Sequence, residues 1–176
     1  MGDLKMLKGL SHWKVLNSKE VRNILAMIRQ QWGSDLSGLS TNCGFLEGKD
    51  GDIFLISRDV EKLDLQQLRI NSLGLYFGQL RNNELRLSIE GSQIIGTAAT
   101  RNIVELADSE FRQWLRGDDL EKQLDNCSDK DTAAPLSTLG NKYVIIKHNN
   151  DFIGCGKLKE GKILNFVPKA RRVVNL

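Results

Sequence analysis

The stretch YVIIKHNNDFIGCGKLKEGKILNFVP, residues 143–168, decides the fold of this chain. It reads as three successive strands, KYVIIKH, DFIGCGKLK and KILNFVP. Asn149-Asn150 and Lys159-Glu160-Gly161-Lys162 are the tight turns between them, because Asn and Gly reach left-handed backbone angles at low cost. Many short strands with one helix and no strand–helix–strand rhythm indicate a small, nearly closed β-barrel.

Upstream of these strands, DNCSDKDTAAPLSTLG at residues 125–140 is small and polar and reads as a long surface loop. Before it, NIVELA is a short strand and DSEFRQWLRG a helix. Asp108 is its expected N-cap, Glu110 lies in its first turn, Phe111, Trp114 and Leu115 form its buried face, and Gly117 ends it. The run from Gly91 to Thr100 is small and polar with little to anchor it, and is read as a boundary near residues 91–101. This divides the chain into residues 1–95 and 96–176.

In the first part, SKEVRNILAMIRQQW is the clearest helix. Val21, Ile24, Leu25, Ile28 and Trp32 form one helical stripe. Asn17 and Glu20 fit a capping box, and Gly33 is the stop. GFLEG and DIFLIS flank Gly48-Lys49-Asp50-Gly51 as one hairpin, and SLGLYFGQL and ELRLSI flank Arg81-Asn82-Asn83 as a second. Between them DVEKLDLQQL reads as a short helix. The fold class is therefore α+β, an N-terminal α/β domain with an antiparallel sheet followed by a small β-barrel domain.

The 176 residues, 40% apolar and 27% charged, suffice to bury a core. Cys43, Cys127 and Cys155 form no C-x-x-C pair, which argues against a disulfide framework or a thiolate zinc site and suits a reducing compartment. No apolar run reaches the roughly 18 residues of a membrane span, and a cytoplasmic protein without membrane contact is expected. The net charge of +3 conceals a pattern. Residues 104–131 carry four Lys/Arg against nine Asp/Glu, whereas residues 132–176 carry eight against two. A polyanion responds to such a local excess rather than to the sum.

Here the residues resemble a known family. RGDDL, followed by YVIIKHNNDFIGCGKLKEGKILNFVPKARR, is similar to the PUA-like module that ends Sun-family rRNA 5-methylcytosine methyltransferases. The matching positions are Arg116, Gly117, Asp118 and Leu120, then Ile153, Gly154, Gly156 and Lys157, then Leu164, Asn165, Pro168, Lys169, Arg171 and Arg172. LGLYFGQLRNNELRLSIEG also resembles the segment preceding that module. The two-part layout resembles archaeal stand-alone relatives of these tails and the Nip-seven class of ribosome-biogenesis factors. Cys155 departs from the aromatic or bulky residue usual in the family. The sequence carries no glycine-rich cofactor loop after a strand and no Pro-Cys nucleophile pair. The resemblance thus implies a PUA-type β-barrel and RNA binding, with no catalytic residues, no cofactor and no metal. The implied partners are rRNA or tRNA, with an RNA methyltransferase or ribosome-assembly proteins beside it.

Residue by residue, Lys157 projects from a strand whose flanking glycines, Gly154 and Gly156, permit close backbone approach or a barrel-corner bend. Lys169, Arg171 and Arg172 supply point charges and planar forks for phosphate. Arg116-Gly117 at a helix end is either an anion contact or a simple C-cap. Lys147 lies at a strand end beside His148, which is expected in solvent. Arg116, Gly117, Lys147, Lys157, Lys169, Arg171 and Arg172 are the expected RNA contacts. With His12 and His148 the only histidines, a nucleophilic triad or a histidine metal site is disfavoured. Trp13, Trp32 and Trp114 fit buried positions, so recognition is expected to lean on phosphates and shape rather than on base stacking.

Overall fold

The computed structural model describes residues 13–36, 38–62, 73–121 and 142–173. The loop expected at 125–140, the second half of the helix expected at 59–68, His12 and Cys127 lie outside these residues. Two five-stranded sheets form the framework. The first runs in the order β1 (Lys14–Val15), β2 (Cys43–Glu47), β3 (Asp52–Ser57), β4 (Leu75–Arg81), β5 (Glu84–Leu87), antiparallel throughout. The second runs β6 (Ile103–Glu105), β8 (Tyr143–His148), β9 (Asp151–Lys159), β10 (Lys162–Asn165), β7 (Leu120–Glu121). Helices α1 (Ser18–Trp32), α2 (Leu39–Asn42), α3 (Ile89–Gly96) and α4 (Asp108–Arg116) complete the fold.

The local expectations are met where turn chemistry dictates them. Asn17 caps α1, accepting from the Lys19 and Glu20 amides, while Glu20 accepts from the Asn17 amide. Gly33 ends α1 at φ 68°. Asn82 and Asn83 both take positive φ, the pair of left-handed residues that a two-residue hairpin turn requires. Asn149, Glu160 and Gly161 do the same in the second sheet. The 3-10 turn Arg58–Lys62 occupies the start of the segment read as a helix.

Strand β8 explains the unbroken run VII. Ile145 points into one core cluster with Phe45, Phe77 and Ile28, whereas Val144 and Ile146 point into another with Trp114 and Ile163. A strand buried on both faces has no polar side to alternate with. Cys155 on β9 joins the same first cluster, so one core takes residues from both sides of position 95.

Two readings are corrected. The segment after residue 88, read as having little to anchor it, contains helix α3, N-capped by Ser88, with Gly91, Ser92, Ile95 and Gly96 buried. Its small residues serve close packing. A Cβ at Gly91 would meet the Phe77 carbonyl and one at Gly96 the Phe152 ring. The residues that follow are tied to the end of α1, where the Thr100 and Arg101 amides donate to the Trp32 carbonyl and Asn102 donates to the Gln31 carbonyl. Second, the N-cap of α4 is Ala107, not Asp108, and Glu110 accepts from the Ala107 amide at 2.8 Å. The second sheet curls into a half-barrel. Its edges, β6 and β7, do not pair with each other among the described residues. β6 joins β8 in parallel, the one parallel pairing in the described sheets.

The packing of α3 reverses an ordinary expectation. Glycine to alanine normally stabilises a helix interior by about 1 kcal/mol. Gly91→Ala is instead expected to destabilise by about 1–3 kcal/mol, the usual cost of overpacking, as a lowered urea midpoint with unchanged slope.

Candidate nucleic-acid interface

Between the two sheets lies a groove of about 380 Å³, lined by Tyr76 of β4, Arg86 of β5, Glu90 of α3, Cys155 of β9, and Phe166 and Arg171 beyond β10. Strand alternation puts Arg86 there. Leu85 and Leu87 turn into the core, so Arg86 between them turns out. Its guanidinium sits 4.9 Å from the Phe166 ring centroid and donates to Gln79 Oε1 at 3.0 Å. Gln79 and Tyr76 in turn donate to Asp52 Oδ1, at 3.0 and 3.3 Å. Burial, with the Asp52 charge beside it, pushes the Tyr76 hydroxyl above its ordinary pKa.

The row continues across the second sheet. Phe166 lies 6.0 Å from Tyr143, and Lys157 is placed 4.9 Å over the Tyr143 ring. Tyr143 and Lys157 are cross-strand partners in the β8–β9 ladder. Lys157 also pairs with Glu84 of β5 at 2.7 Å, a hydrogen bond that raises its pKa. Phe166 and Tyr143 thus form a pair of rings with a cation at each end, Arg86 and Lys157, along one face that both halves of the chain build. Trp32 and Trp114 are buried as expected, and Tyr76, Tyr143 and Phe166 are half-buried at the surface.

Residues 101–173 match the family described as the methyltransferase RsmF PUA domain. The carboxy-terminal module is PUA-like. Its relatives include the ribosomal RNA small subunit methyltransferase F of Vibrio parahaemolyticus, 26% identical over 121 residues, and those of Vibrio cholerae and Vibrio campbellii, each 25% identical over 121 residues. In each case the match covers 69% of this chain and 23% of the relative, so the chain spans about a quarter of the length of these curated relatives. The PUA-like module resembles the one in Sun-family enzymes at the residues quoted above.

Much of that resemblance is structural stitching. Asn165 donates its side-chain amide to the Trp114 and Asp118 carbonyls, accepts from the Val167 amide, and gives its own amide to Asp119. The L-N-x-x-P run is thereby sewn to the R-G-D-D turn. Gly117 is the αL cap of α4 at φ 89°, and a Cβ there would strike the Arg172 guanidinium. Arg172 donates to the Val167 carbonyl at 3.1 Å, and the Val173 amide donates to the Leu115 carbonyl. Arg172, the last of the closing cations, is therefore held against the end of α4 and is not part of a frayed tail. The glycine-flanked strand carries its bend at Ile153, where the β8–β9 register shifts, and Trp114 donates its indole N–H to the Ile153 carbonyl at 3.3 Å.

The expected contact residues are not one cluster. Lys157 and Arg171 border the groove region, and each meets a carboxylate from before residue 96, Glu84 at 2.7 Å and Glu90 at 2.8 Å. Arg116, Gly117 and Arg172 come together at the end of α4, where Arg116 pairs with Asp118 at 3.4 Å. Lys147 lies on β8 and pairs with its ladder partner Glu105 at 2.9 Å. Lys169 is exposed in the 3-10 turn after Pro168. His148 is not in solvent as expected. Its ring stacks on Phe111 at 4.1 Å, and Nδ1 lies 3.0 Å from the Leu106 carbonyl oxygen. Sequence reasoning missed Tyr76, Arg86, Tyr143 and Phe166. The available signal was Arg86 between two inward leucines and the adjacent pair Phe166-Val167, of which one must face out.

Cys155 is buried, and burial pushes its thiol up to about 12. A thiol held protonated at neutral pH is a poor nucleophile. Two outcomes are expected here. Asn165→Ala, which removes three side-chain hydrogen bonds, lowers stability by about 1–3 kcal/mol in chemical denaturation. Iodoacetamide at pH 8 leaves Cys155 unmodified in the native protein and alkylates it in urea, read by peptide mapping. Modification at equal rates in both states would contradict its burial.

Proposed function

We propose that this chain is a non-enzymatic RNA-binding protein of rRNA maturation, which docks structured RNA on the face built by Arg86, Phe166, Tyr143 and Lys157. The row of two rings between two cations carries the reading, because cations neutralise phosphate while rings and guanidinium planes accept unpaired bases. The match of the PUA-like module to rRNA methyltransferases of the F type supports the choice of RNA. The carboxylates facing Lys157 and Arg171 do not oppose it. Partly exposed ion pairs contribute about 0–1 kcal/mol, so a phosphate can take the place of Glu84 or Glu90 at small cost. Arg116, Gly117 and Arg172 form a second contact point at the end of α4, where Lys169 lies in the neighbouring turn.

The non-enzymatic reading is supported by the protonated, buried Cys155 and by His148, which is engaged by Phe111 and the Leu106 carbonyl. No group of His, Cys, Asp and Glu suited to a metal ion occurs among the described residues, and none of the helices there is long and apolar enough to cross a membrane. A cytoplasmic setting fits rRNA as the target. A second reading is favoured by the methyltransferase activity for which the relatives are named. In it the chain delivers a methyltransferase carried on a separate polypeptide to the same RNA, and co-purification of such an enzyme separates the two.

The test is the affinity for a structured rRNA fragment as a function of salt. The log–log slope is expected to be steep, and Lys157→Ala with Arg171→Ala is expected to reduce it by about 0.7–0.9 for each cation lost from a phosphate. Unchanged affinity and slope in this double variant would remove the face from the function.

A further inference from the structure

We infer that the groove beside Phe166 receives a single unstacked nucleotide of the bound RNA, its base lying against the Arg86–Phe166 stack and its phosphate beside Arg171. The inference rests on the RNA-binding reading and names what that RNA must present. The groove is larger than phosphate contacts alone require. At about 380 Å³ it falls within the roughly 300–1,000 Å³ range of ligand pockets, whereas a duplex backbone needs only a convex or flat row of cations.

Its lining is of two kinds. The floor is apolar and tightly packed, with Leu87, Cys155 and Val167 each less than 5% exposed. The walls carry planar groups, Tyr76, Phe166 and the Arg86 guanidinium, held in place rather than free. Arg86 is fixed between Phe166 and Gln79, and Tyr76 is fixed on Asp52. Holding these planes beforehand lowers the ordering cost when a flat ligand enters. At the rim, Arg171 is anchored by Glu90 at 2.8 Å and is still 62% exposed in its side chain, so its fork reaches solvent. Counting Arg86, Arg171 and Glu90, the lining bears one net positive charge. A planar, largely apolar body with one attached negative charge matches this set, and in RNA that body is a base on its own phosphate. Stacked bases inside a helix present only their edges, so the nucleotide must be extruded, as in a bulge or loop.

The groove also explains why the first half of the chain is needed. Tyr76 and Arg86 belong to β4 and β5, whereas Phe166 and Arg171 belong to the PUA-like module, so neither half lines the groove alone.

The test uses the full chain and three RNA hairpins at one salt concentration, read by fluorescence anisotropy. One hairpin carries a single-nucleotide bulge, one the same bulge with an abasic residue, and one is fully paired. The bulged hairpin is expected to bind about tenfold or more tighter than the abasic one. Arg86→Lys keeps the charge and loses the plane, and Phe166→Leu keeps apolar bulk and loses the ring. Each is expected to bring the ratio of bulged to abasic hairpin close to one. Equal binding of all three hairpins would overturn the nucleotide site and leave RNA binding standing. Absence of binding to any of them would remove both. Retention of the ratio in both variants, or tight saturable binding of AMP, GMP, CMP or UMP with no gain from the bulged base, would likewise overturn the inference.

Discussion

Strand β8 is apolar toward both of its faces, and this one constraint organises the rest of the molecule. Val144 and Ile146 are covered by α4 through Trp114 and by the curl of β10. Ile145 must be covered on the opposite side, and that cover comes from the first sheet and its helices, through Phe45, Phe77, Ile28 and Ile95. A half-barrel with one face open to water would expose Ile145, Cys155 and the partly buried Tyr143 and Phe152. Burying such side chains contributes about 1.5–3 kcal/mol each for the larger aliphatic ones. The two sheets are therefore joined by a common core, and a surface that crosses the seam is as rigid as one within either sheet.

Helix α3 makes that join possible. It lies between β4 and β9, where a normal helix surface would hold the sheets apart. Glycine at 91 and 96 lets its backbone approach Phe77 on one side and the Phe152 ring on the other. The groove opens where α3 begins, at Ser88, Ile89 and Glu90, because the helix start diverges from the sheets there and the chain after β10 passes in front.

The charge distribution acquires a different meaning in three dimensions. The carboxy-terminal excess of Lys and Arg is partly met by Glu84 and Glu90 from the first half, and by Glu105 and Asp118 nearer by. These are half-exposed contacts, weak in water and exchangeable for other anions. Rather than one basic patch, the structure displays cations spaced along a seam, with rings between them.

Short-range chemistry was legible from the residues alone. Turn asparagines and glycines set both hairpin turns of the first sheet and those of the second, the Asn17–Glu20 capping box set the start of α1, and the R-G-D-D and L-N-x-x-P motifs announced the PUA-like module. The turns and the capping box depend on backbone angles or on hydrogen bonds between close neighbours, and the two motifs were legible through their resemblance to the family. Three features were not legible, namely α3, the parallel β6–β8 pair and the cation–ring row. A glycine- and serine-rich segment looks like a linker unless the elements it must fit between are known. β6 finds β8 only after the whole intervening chain has folded back. Arg86 and Phe166 are eighty residues apart, and each is an ordinary surface residue within its own segment. What places one over the other is the demand of Ile145 and Cys155 for cover, a requirement that exists only once two sheets share a core.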